Sequence, residues 1–163
     1  MKKMSKKANG VKQILMGIML LACLVMAGCS HSNSDAKDFT DFEHIEAEYL
    51  QSIDNLNWPK GVTLPEKLEG EDTGASFQIG YGDTSASNLW EYYWMKEWLD
   101  TYNTDPKRAE KALEELEKAF DMPYMGADRC DDATRQYLRD NIDKAKSGDP
   151  SGFTECIKVN YAN

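Results

Sequence analysis

With 28 acidic and 19 basic side chains in 163 residues, the chain carries a formal net charge of −9, and 41% of it is hydrophobic. That balance excludes a nucleic-acid binder, which needs a basic face to meet phosphates. The length is that of one domain able to bury its own core.

The charge is unevenly spread. Lys2, Lys3, Lys6, Lys7 and Lys12 all precede the first acidic residue. Residues 14–27 then run without a charge, too short to cross a bilayer comfortably as a mature helix. The run closes on Met26-Ala27-Gly28-Cys29, where the small Ala27-Gly28 pair gives a peptidase room at the bond before Cys29. A basic start, an apolar run and this closing tetrad resemble the signal of bacterial lipoproteins. Met26 stands where that family's lipobox most often has Leu, a change between two long apolar side chains. The resemblance covers residues 1–29 only. It implies that 1–28 are removed and that Cys29 carries a diacylglyceryl thioether holding the mature chain at the extracytoplasmic face of the cell membrane. Ser30, rather than Asp, follows the anchor, which by the same resemblance implies export to the outer membrane in an organism with two membranes.

Removing the five leader lysines leaves 14 basic against 28 acidic residues, a net charge of −14. Such a surface avoids anionic lipid, so the implied lipid and not the protein's charge would hold it at the membrane. Cys23 would leave with the leader and Cys29 would be acylated, which leaves Cys130 and Cys156. Two remaining thiols outside the cytoplasm suggest a disulfide, closing a loop of about 26 residues and contributing about 3 kcal/mol. No metal or other cofactor is expected: His31 and His44 both lie near the N-terminus, and no Cys-x-x-Cys occurs.

Residues 30–37 are polar and read as a tether, so the domain is expected over 38–163. From Asp38 to Asn57, Phe39, Phe42, Ile45, Tyr49, Leu50, Ile53 and Leu56 recur at intervals of three and four, the spacing of a helix stripe. Trp58-Pro59 ends it. Gly61-Val62-Thr63-Leu64 reads as a short strand, and Phe77, Ile79 and Tyr81 alternate as a second, with an acidic turn over 69–74 making a small hairpin. Ile79-Gly80-Tyr81-Gly82-Asp83 resembles a potassium-channel selectivity filter. That filter works between membrane helices, which this sequence does not supply, so the glycines read as a sharp turn into the next helix.

Asp83, Thr84 and Ser85 offer caps for a helix over about 87–102 that is apolar around most of its circumference and belongs at the centre of the fold. Asp105-Pro106 starts another helix, with Ala109, Ala112, Leu113, Leu116 and Phe120 on one face and Met122-Pro123 as its stop. Asp131-Asp132 starts a third, with Ala133, Tyr137, Leu138, Ile142 and Ala145 inward and Gly148 at its end. Residues 150–161 fit strand alternation and helix spacing equally. The fold class is therefore mostly α (α+β): about four helices around a Trp- and Tyr-rich one, with a small hairpin.

Few residues point to chemistry. Trp90, Trp94 and Trp98 share one helix side and form either a stacking platform for glycan or peptide or, as expected, the core. Glu91 and Glu97 flank them. A carboxyl in apolar surroundings can act as a general acid, but six helical positions apart these two point away from one site. Asp128, Asp131 and Asp132 cluster beside Cys130 ahead of a helix and offer hard oxygen ligands of the kind calcium takes, but they lack EF-hand spacing and helix capping explains at least one of them. The sequence thus suggests a non-catalytic binding or interaction module of the envelope with an envelope protein or glycan as partner. The alternative is an envelope enzyme acting on cell-wall glycan or peptide.

Overall fold

Asp41 fixes where the helix over Phe42–Asn55 begins. Its carboxylate accepts a hydrogen bond from the His44 backbone N–H at 3.0 Å, so the chain before it is extended and the helix runs from Phe42. The computed structural model describes residues 38–161. The leader, the tether and Cys29 lie outside them. In chain order the described elements are β1 (Phe39–Thr40), α1 (Phe42–Asn55), β2 (Phe77–Gln78), α2 (Tyr81–Thr101), α3 (Pro106–Glu117), two short 3-10 turns (Lys118–Asp121 and Pro123–Met125), α4 (Asp132–Lys146) and α5 (Ser151–Asn160). The mostly helical α+β class holds, with five α-helices and one two-stranded antiparallel sheet among the described residues.

The sheet is not the expected hairpin. Residues 61–64 form no strand, and β2 pairs instead with β1, Phe39 opposite Gln78 and Thr40 opposite Phe77. Phe77 is buried, with its ring against Phe42 at 6.3 Å and Tyr81 at 5.5 Å. Ile79 and Tyr81 do not share its burial, because the chain turns at Gly80 (φ 90°) and enters α2 directly.

That entry comes six residues earlier than the sequence suggests. Asp83, Thr84 and Ser85 lie inside α2 and do not cap it. The cap comes from α1: the Glu48 carboxylate accepts from Gly80 N–H at 3.0 and 2.9 Å and from Gly82 N–H at 3.3 Å. A carboxylate suits a helix N-terminus both as acceptor and as charge. Gly82 also sets the approach of the two helices, since a Cβ there would land on the Ile45 carbonyl oxygen.

The core has two parts. Ile45, Tyr49, Ile53, Leu68, Phe77 and Ala86 pack between α1 and the start of α2. The larger part gathers Trp90, Trp94, Met95 and Trp98 with α3, α4, α5 and the second 3-10 turn. The central position of α2 is therefore as expected. Helix α4 turns Leu138, Ile142 and Ala145 inward, but Tyr137 is 44% exposed and Ala133 is exposed too. Residues 151–160 are helical, with Phe153 and Cys156 buried. Gly152 allows this packing, because a Cβ there would crowd Asn141 of α4 at 2.7 Å.

Candidate functional site

Trp90, Trp94 and Trp98 are 1%, 4% and 2% exposed. No ring face is open to a ligand, so the stacking platform gives way to the core reading. Their polar edges are met inside the protein. Trp90 Nε1 and Trp94 Nε1 both donate to the Asn57 carbonyl oxygen, at 2.8 and 3.0 Å. Trp98 stacks on Tyr102 (4.6 Å, 17°) and meets Phe153 edge-on.

Glu91 follows Trp90 into the interior and is 7% exposed. Its Oε1 accepts a short hydrogen bond from the Tyr124 hydroxyl, carried in by the second 3-10 turn. Burial pushes the Glu91 carboxyl up to about 7, against the Tyr124 bond, which lowers it. Burial and then the Glu91 charge raise the Tyr124 hydroxyl far above its ordinary range. Tyr161 is raised by the same two causes in the same order. Cys130 and Cys156 complete this neighbourhood, both with thiols pushed up chiefly by burial. They are free thiols, not the expected disulfide. Cys130 Sγ lies against Met125 Sδ at 3.5 Å, and Cys156 Sγ accepts from Asn160 Nδ2 at 3.5 Å.

Glu97 serves a different element. It takes a two-pronged hydrogen bond from Arg108 of α3, at 2.7 and 2.8 Å. The two candidate acids therefore do not share a site. The aspartates ahead of α4 also separate: Asp131 caps the helix through Thr134 N–H at 2.7 Å, and Asp132 pairs with Arg135 at 2.6 Å. No group of three or more His, Cys, Asp or Glu among the described residues is placed to hold a metal ion.

Sequence reasoning missed the surface between α3 and α4. A groove of about 540 Å³ runs there, floored by Tyr102, Ala109 and Leu113, with Glu110 and Glu114 along its side. A second recess of about 470 Å³ is lined by Phe120, Arg139 and Ile142. The Lys146–Glu117 ion pair at 2.5 Å borders both. Glu91 lines neither. The signal was in the apolar stripe of α3, of which Leu113 stays half-buried and lines the groove. Glu115, fully buried on the same helix, is pushed up by burial but more than compensated by Lys111, Lys118 and Asn57, so its carboxyl sits below the usual range. Lys118 and Lys111 both reach Glu115 Oε1, at 2.7 and 2.8 Å.

Compared with known proteins, the chain matches no protein-family model, no curated protein and no solved structure.

Proposed function

We propose that this is a lipid-anchored protein of the bacterial envelope, held at the extracytoplasmic face through Cys29, whose domain is a non-catalytic binding or interaction module. The sequence Met26-Ala27-Gly28-Cys29, closing an uncharged run after five lysines, carries the anchor. The module reading draws support from where the unusual groups sit. The carboxyl and hydroxyl with the largest shifts, Glu91 and Tyr124, are sealed in the core. Of the two recesses beside α4, the one against α3 presents an apolar floor beside carboxylates, and the other is lined mainly by charged side chains. That is a surface for contact, not for proton transfer.

The enzyme alternative draws on Glu91 alone, as a carboxyl held near neutrality. It needs a route from solvent to that group, and neither recess provides one.

The test is expression of the full chain in a bacterium that makes lipoproteins. The mature N-terminus should be Cys29 bearing lipid mass, and Cys29→Ala should leave the membrane fraction and lose the lipid. In a deletion strain with a phenotype, Glu91→Gln should complement as well as the natural chain. Loss of complementation at normal abundance would favour the enzyme.

A further inference from the structure

We propose that the corner of the domain carrying Phe39, Ile79 and Tyr81 is its membrane-facing tip, seated in the zwitterionic headgroup layer of the bilayer that holds Cys29. The inference rests on the anchored reading above.

Single exposed apolar side chains are ordinary; their concentration is not. Six large hydrophobic side chains are exposed among the described residues, and three belong to this corner: Phe39 at 55%, Ile79 at 42% and Tyr81 at 37%. The other three are dispersed, Leu50 on α1, Tyr137 on α4 and Val159 on α5. Phe39 stands opposite Gln78 in the β1–β2 ladder, Ile79 follows β2, and Tyr81 opens α2.

The corner is held in shape. Ile79 N–H donates to the Asp38 carbonyl at 2.9 Å, and Glu48 binds the backbone on either side of Tyr81. The Tyr81 hydroxyl donates to Glu71 at 2.5 Å. A rigid apolar display loses little conformational freedom on contact.

Chain length then says what it meets. Nine residue steps separate Cys29 from Asp38, a span of at most roughly 30 Å when fully extended. A domain of this size has a radius of gyration of about 14 Å and is roughly 35 Å across. The covalent link is shorter than the domain is wide, and it enters at Asp38, the residue bonded to Ile79. The corner nearest the entry is thereby the one kept within reach of the bilayer. Tyr and Phe side chains suit that interface, where a ring is buried and a hydroxyl stays wet. Asp38 and Asp41 lie beside Phe39, Glu71 is bonded to the Tyr81 hydroxyl, and Asp83 follows Tyr81; of these only Asp83 is paired with a cation among the described residues, Arg129, so the corner keeps an acidic excess that disfavours an anionic surface and selects a zwitterionic one.

The experiment uses the full lipidated protein in phosphatidylcholine vesicles containing acyl-brominated lipid. Phe39→Trp and Val159→Trp are compared with the unsubstituted protein, so that emission from the four native tryptophans subtracts. The emission added by Phe39→Trp should be blue-shifted and largely lost to brominated lipid, while that added by Val159→Trp stays red and unquenched. Protein that floats with the vesicles but shows no quenching at Phe39→Trp overturns this inference and leaves the anchor standing. Equal quenching at both positions overturns it as well, since the domain then has no preferred face. A blue shift at Phe39→Trp that grows with protein concentration in lipid-free solution assigns the corner to a second copy and overturns it. Protein without lipid mass that fails to float overturns the anchor, and this inference falls with it.

Discussion

Glu48 caps a helix to which it does not belong. Its carboxylate, on α1, binds the N–H of Gly80, 32 residues further along the chain, at 2.9 Å and so joins α1 to the start of α2. The β1–β2 ladder ends beside the same glycine, so one side chain fixes the meeting of sheet, turn and helix. Glu48→Ala should destabilise the domain by about 2 kcal/mol, the usual loss for a bond to a charged acceptor, read as a lower urea midpoint. An unchanged midpoint would show that water replaces the cap at no cost.

Gly82 should tolerate nothing larger. A Cβ there meets the Ile45 carbonyl and comes within 2.8 Å of the Tyr49 backbone nitrogen, and neither can move without parting α1 from α2. Gly82→Ala is expected to cost more than about 3 kcal/mol or to prevent folding. Gly70→Ala is the control. Its φ of 86° is unfavourable for a side chain, but nothing lies within 4 Å, so about 1 kcal/mol is expected. Similar losses at both sites would refute the close crossing.

The buried acid should make stability depend on pH in the opposite sense to acid denaturation. The Glu91 carboxyl titrates near 4.5 when exposed and near 7 in the fold. Across that interval the folded domain holds the proton and the unfolded chain does not. Stability from this group is therefore complete below pH 4.5 and falls as pH rises through 7, by about 3 kcal/mol in all. Asp131 and Asp149, held below their ordinary range chiefly by backbone N–H groups, act only at still lower pH. Urea midpoints at pH 5 and pH 8 should differ accordingly, and Glu91→Gln should abolish most of the difference. A natural domain equally stable at both would contradict the buried, protonated carboxyl.

The two indoles on one carbonyl should be coupled. Trp90→Phe or Trp94→Phe leaves the Asn57 oxygen with one donor. Replacing both removes both indole donors from it. The double variant should lose more stability than the sum of the single ones, by about 1 kcal/mol or more in a double-mutant cycle. Additive losses would mean that water reaches the carbonyl.

Much of the helical layout was legible because local chemistry and tertiary demand agree. Asp105-Pro106 and Asp131 cap α3 and α4 where the sequence places them, and α2 is central because its apolar residues surround it. The misreadings arise where a distant residue decides. Asp83, Thr84 and Ser85 look like caps, yet Glu48 supplies the cap from another helix. Residues 61–64 have strand character, but β2 finds its partner before α1, a pairing no local pattern announces. The tail could alternate or coil until Gly152 and Asn141 bring α5 against α4. Glu91 was singled out for its apolar neighbours, and burial does raise it. Its hydroxyl partner Tyr124 lies 33 residues away, in a turn with no periodic signal.

Asn57 has a consequence for how the domain opens. Its carbonyl holds Trp90 and Trp94, while its side-chain amide donates to Glu115 of α3 at 3.0 Å. Its neighbours Leu56 and Trp58 pack against both parts of the core. Neither part can loosen without breaking bonds that belong to the other. Amide protons in α1 and α3 should then exchange with one shared opening free energy, and the two layers form a single cooperative unit whose hinge is three residues long.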